Sequence, residues 1–158
     1  MQETKREELV KSLFSKKLKI IDIYKILFKP VSDFILTYKE VLDDYHINLD
    51  VDFKIKGFID KFFDHISLGS KGSFIGNPSG IEKLKSIVER SEISSSEGII
   101  RFLNELVKSL KYDQRKEFKD QRRFIDKQLK NGYTKSNLYS FLFELDFLEP
   151  EYRLKLGE

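Results

Sequence analysis

The stretch "INLDVDFKI", residues 47–55, restricts the fold most. Ile47, Leu49, Val51, Phe53 and Ile55 alternate strictly with Asn48, Asp50, Asp52 and Lys54. A period of two sustained over nine residues predicts a strand with one apolar and one polar face. A second alternation follows Pro150, where Tyr152, Leu154 and Leu156 interleave with Arg153 and Lys155. As antiparallel neighbours, the two strands would set the aspartates of one against the cations of the other.

Between the strands the apolar residues recur at helical spacing. "GFIDKFFDHI" places Phe58, Ile59, Phe62, Phe63 and Ile66 on one face. Ser79 with Glu82 is spaced as a capping box opening "IEKLKSIVER", and Ser94 with Glu97 repeats the device before "GIIRFLNELVKSL". Residues 108–130 read as another amphipathic helix, with Phe118, Phe124, Ile125 and Leu129 as its apolar positions. Gly132 is its stop and Thr134 caps a last helix carrying Leu138, Phe141, Leu142 and Leu145.

The first forty residues carry a heptad. Leu13, Ile20, Leu27, Phe34 and Val41 lie seven apart, and Val10, Lys17, Tyr24, Val31 and Tyr38 form the interleaved set. This is the pattern of a seam facing a partner helix, with Leu13, Ile20, Tyr24, Leu27 and Phe34 as its candidate contacts. Lys17 interrupts the seam but its stem can snorkel. Pro30 removes a backbone donor, so two helical pieces within one arm are expected. The amphipathic stretch from Lys16 to Lys39 can lie on a membrane surface, although so regular a heptad fits a helical partner better.

Composition removes several chemistries. The 158 residues include no cysteine, hence no disulfide, thiol nucleophile or thiolate metal site. His46 and His65 are too few for a histidine-based zinc site. Asp50 and Asp52 share a strand face and can present two carboxylates to a hard cation, but with no third ligand identifiable a solvated or Arg-paired face is the better reading. His65 between Asp64 and Ser67 is not a triad, because neighbours on one helix seldom aim at one point. There is no apolar run of membrane-spanning length and no signal-peptide core, so a cytoplasmic protein is expected.

The glycine-rich stretch "GSKGSFIGNPSG", residues 69–80, asks whether the chain binds a nucleotide. In a Walker A loop the lysine follows the last glycine, whereas Lys71 precedes Gly72, and the preceding run is helical rather than a strand. A connecting loop with turn chemistry at Asn77-Pro78 is the expectation; a backbone anion nest assisted by Lys71 is the alternative. The net charge is +3, and residues 108–130 hold nine Lys or Arg against four Asp or Glu. Along a helix Arg115, Lys119 and Arg122 would share a side next to Arg123, making them candidate phosphate contacts. Interleaved acids equally suit an exposed helix laced with ion pairs.

The order of pieces resembles a known family. A heptad arm, "INLDVDFKI", "FIDKFFDHISLGSKGSFIG", several helices and "LYSFLFELDFLEPEYRLKLGE" together resemble the segment just upstream of the signature motif in bacterial SMC-like (ABC-type) P-loop ATPases. Among these are the ATPases fused to PHP-type phosphoesterase domains in DNA-repair and phage-defence proteins. The resemblance covers residues 40–158, and "KGSFIG" and "EYRLKLGE" carry most of it. It implies that Walker A lies upstream and signature and Walker B downstream, so no catalytic residue, ATP contact or magnesium ligand falls in this chain. It also implies a terminal strand with an exposed edge, and hence dimerisation through the edge or the arm.

The expected fold is therefore α+β and mainly α: a coiled-coil-like arm over residues 1–45, then a helical subdomain over residues 46–158 with two or three antiparallel strands. The expected function is a non-catalytic arm and subdomain of an SMC-like ATPase, coupling nucleotide state to DNA or a partner. A free-standing helical interaction module, or a nucleic-acid binder through residues 108–130, are the alternatives.

Overall fold

A computed structural model of the chain describes residues 2–38 and 47–156. Val41, His46 and the boundary between residues 45 and 46 lie outside the described residues. Helix α1 (Gln2–Thr37) leads to strand β1 (Ile47–Ile55), then to α2 (Phe58–His65), α3 (Ser79–Glu89) and α4 (Ser96–Lys111). A short β2 (Tyr112–Asp113) and β3 (Gln121–Arg122) follow, each succeeded or preceded by a 3-10 turn, and α5 (Lys135–Phe143) leads to β4 (Leu148–Leu156). The described residues are mainly helical, with two small antiparallel sheets of two strands each.

β1 pairs antiparallel with β4 over its whole length, from Ile47 opposite Leu156 to Ile55 opposite Leu148. Both alternating stretches are thus one sheet, with Pro150 inside the second strand rather than ahead of it. The Lys56 amide donates to the Phe147 carbonyl across 2.9 Å. Alternation along the ladder then makes Asp50–Arg153 and Asp52–Glu151 hydrogen-bonded pairs, and turns the backbone polar groups of Val51, Phe53 and Pro150 outward. Pro150 has no donor to expose there, which is where a strand tolerates proline.

α1 lies across this sheet and against α4. Val10, Phe14 and Ile21 are buried, and Tyr24 and Phe28 are partly so. Phe14 meets Phe53 with ring centroids 5.5 Å apart. The remaining core is built on phenylalanine. Phe58 contacts Phe62, Phe102, Phe141 and Phe147, and Phe62 also meets Phe74. Phe58, Phe62, Phe74, Phe102 and Phe147 are buried, and each such ring contributes roughly 1.5–3 kcal/mol of transfer free energy.

Several local expectations need correction. α1 runs through Pro30 as one helix instead of two pieces. The cost is one lost N–H, and the carbonyl left over belongs to exposed Ile26, where water can reach it. Ser79 is the first residue of α3 and its hydroxyl donates to the Ile75 carbonyl, so it closes no capping box. The cap of α4 is Ser95, which accepts from the Gly98 amide, while Ser94 donates to Asp52. Thr134 does cap α5, in a capping box with Asn137.

The largest correction concerns residues 108–130, which are not a helix. α4 ends at Lys111 and the chain folds back, Tyr112 pairing with Arg122 and Asp113 with Gln121. The Arg123 amide then donates to the Lys111 carbonyl at 2.7 Å. Beyond it the chain is fastened to the end of α2: the Ser67 amide donates to the Gln128 carbonyl and the Lys130 amide to that of His65, each across 2.8 Å.

Candidate functional site

α1 carries two apolar stripes, and the fold uses one. Val10, Phe14, Lys17, Ile21, Tyr24 and Phe28, spaced alternately four and three apart, face the sheet and α4. About a quarter-turn round the helix run Leu9, Leu13, Ile20, Ile23, Leu27, Val31 and Phe34. Leu13 is partly covered, whereas Ile20, Leu27 and Phe34 are 45%, 64% and 59% exposed. Of the five expected seam residues, Leu13 and Tyr24 pack against the protein's own core, and Tyr24 does so at the sheet. Its ring meets Tyr152, which also touches Phe28 with centroids 4.2 Å apart.

The outward stripe begins in a groove between α1 and α5. This groove has a volume of about 460 Å³ and is lined by Leu9, Leu13, Lys16, Tyr139 and Phe143. Arg6 lies over the Tyr139 and Phe143 rings at 5.1 and 4.9 Å. From Lys29 onward, the hydrogen bonds and ring contacts of the described side chains stay within the helix: Lys29 with Asp33, Thr37 with the Asp33 carbonyl, Phe34 with Tyr38. An apolar stripe of coiled-coil spacing, interrupted at Lys16 and open over its distal half, can seat a helix.

The sheet edge is less inviting. The outward amides of Val51 and Phe53 donate to the carboxylates of Asp50 and Asp52, at 2.9 and 2.7 Å. Ion pairing between the strands comes instead from Lys54 with Glu151 and, just past the strand, Lys56 with Glu149. Asp50 stands opposite Arg153 without an ion pair between them; the side chain of Arg153 bonds Glu151. Among the described residues no group of three or more His, Asp or Glu comes together as a metal site.

The basic candidates separate. The side chain of Asp113 is fully buried, and both its oxygens are taken by guanidiniums. Arg115 donates to them at 2.9 and 2.7 Å, and Arg123 donates to Oδ2 at 3.2 and 3.0 Å. Hydrogen bonds from Arg115, with help from its own amide and from Arg123, pull the Asp113 carboxyl down to about 2 against the opposing effect of burial. Arg115 and Arg123 are therefore structural partners of one acid, placed on opposite arms of a turn rather than along one helix side. Both lie near the Phe118 ring, at 4.5 and 5.7 Å. Lys119, Arg122 and Lys71 are exposed. His65 bonds the Lys61 carbonyl through Nδ1 and packs against Tyr133 and Phe141, which is a packing role.

Comparison with protein-family models, with curated proteins and with solved structures gives no match. No helix among the described residues is long and apolar enough to cross a membrane.

Proposed function

We propose that the chain is the non-catalytic arm and helical subdomain of an SMC-like ATPase, with α1 pairing along its outward stripe with a further helix of that assembly. The observation that carries this reading is the stripe itself. Ile20, Leu27 and Phe34 keep a heptad register in the open, while the neighbouring stripe already satisfies the fold. Exposed apolar surface of this regularity marks an interaction face. The resemblance of "KGSFIG" and "EYRLKLGE" to that family supplies the identity of the assembly. α1 is rooted in the phenylalanine core through Phe14 and in the sheet through Tyr24. A displacement of the arm would therefore be passed to the subdomain as a rigid-body movement. ATP and magnesium would be held by motifs of the parent protein.

The same stripe supports a second reading, a free-standing module that recruits a heptad helix with no ATPase attached. The genomic reading frame separates the two. Continuation past Glu158 into a signature-type motif and Walker B is the expected result; a stop codon there would sink the ATPase reading and leave the module.

A further inference from the structure

The glycine-rich loop and the β2–β3 turn meet at a cleft of about 440 Å³ that no residue of α1 lines. One wall is the loop and the start of α3, giving Ser73, Ile75, Ser79 and Lys83; the other is the turn, giving Gln114, Arg115 and Lys116. The walls are fastened to each other. The buried Ser73 hydroxyl donates to the Tyr112 carbonyl and accepts from the Gln114 amide, both at 3.0 Å. On the loop side Gly80 is pressed against the Phe74 carbonyl, so closely that a Cβ would overlap it. The cleft is thus a built feature of the fold.

Its charge is one-sided. Lys83, Arg115 and Lys116 line it, and no carboxylate does. Asp113 sits behind Arg115 and is shared with Arg123, so one negative charge answers two guanidiniums. Among the described residues neither Lys83 nor Lys116 has an ion-pair partner. Arg115 spends Nε and Nη2 on Asp113, which fixes the plane of its guanidinium and leaves Nη1 unengaged. An oriented guanidinium flanked by two free ammonium groups is the donor set that recognises phosphate oxygens.

We propose that this cleft binds a phosphate group, with Arg115 as the fixed donor and Lys83 and Lys116 supplying charge. The phosphate can belong to a small phosphorylated molecule or to a nucleic-acid backbone, since the volume lies within the usual range of ligand pockets, roughly 300–1,000 Å³. Lys71 is not part of the lining. The site is therefore no nest around that lysine, and the loop serves it through Ser73 and Ser79.

The test is titration of the chain at low salt with pyrophosphate, ATP without magnesium, and a single-stranded oligonucleotide, followed by calorimetry and amide NMR shifts. Saturable binding by at least one probe is expected, shifting the amides of Lys83, Gln114 and Arg115. Lys83→Ala with Lys116→Ala should weaken it by roughly tenfold or more, the scale of lost charge-assisted contacts, and Lys71→Ala should not. Both lysines lack structural partners, so the double variant should melt like the parent. A response to pyrophosphate or ATP identifies a small-molecule site; a response to the oligonucleotide alone identifies a backbone site. Absence of saturable binding by all three probes, or binding that survives the double variant, overturns the proposal.

Discussion

Tyr24 on α1 meets Tyr152 on β4 edge to face, with ring centroids 5.5 Å apart and planes at 82°. This contact ties the arm to the last strand, across more than a hundred residues of sequence. Burial and the neighbouring Tyr24 push the Tyr152 hydroxyl above its ordinary pKa. A double-mutant cycle on Tyr24→Leu and Tyr152→Leu should return a coupling of about 1 kcal/mol in denaturant unfolding. Strict additivity of the two variants would deny the contact.

The two stripes of α1 should respond oppositely to substitution. Phe14→Ala empties a buried site and should cost about 3–5 kcal/mol. Ile20→Lys with Leu27→Lys alters open surface and should change stability by only about 0.5 kcal/mol per site. Thermal melts of both variants check this. A large loss from the lysine pair would mean that the outward stripe is already packed.

Asp113 makes stability sensitive to acid. Its folded pKa, about 2, lies below the ordinary 3.8, so the unfolded chain takes up the proton first as pH falls. The contribution is complete above about pH 5 and is lost as pH drops from about 4 toward 2; nearly two units correspond to roughly 2 kcal/mol. Asp113→Asn should flatten this part of the pH–stability curve. It should also cost about 3–5 kcal/mol at neutral pH by stranding Arg115 and Arg123.

Gly80→Ala should destabilise the chain by about 1–3 kcal/mol, the usual cost of overpacking, since backbone and not a flexible side chain blocks the new methyl. Gly69→Ala, where a Cβ meets the Ser67 hydroxyl at an ordinary 3.7 Å, is the comparison and should be near neutral. Chemical denaturation of the two variants gives the difference directly.

Asp50→Ala with Asp52→Ala should bare the outward amides of Val51 and Phe53 and leave β1 open to a second strand. Sedimentation at rising concentration should then show stronger association than the parent does. An unchanged profile would assign the edge's protection to something other than these carboxylates.

Much of the fold was legible because it rests on local periodicity. The alternation over residues 47–55 returned as β1 with the same limits, and Phe58, Phe62 and Phe63 turned inward together. Thr134 was readable because a cap needs only the residues that follow it. The segment 108–130 misled because Phe118, Phe124, Ile125 and Leu129 are spaced acceptably for a helix. Yet Phe124 is 62% exposed and the chain there is organised by a buried carboxylate. Asp113 needs Arg115 and Arg123 from two arms of a turn, and no apolar periodicity records that demand.

The sequence by itself determined where the period is two and where it is near 3.6, because these follow from backbone geometry and the residues at hand. It also placed a heptad on α1, legible as one seam, whose residues fall into two apolar stripes. Only the tertiary structure decided which of them is spent on the core. That choice depends on Phe53, Val51 and Tyr152 arriving from β1 and β4 to cover Phe14, Ile21 and Tyr24. Ile20, Leu27 and Phe34, equally apolar, stay outside because the sheet reaches only one side of the helix. The cleft between Lys83 and Arg115 has the same origin: its charges are more than thirty residues apart, and only packing makes them neighbours.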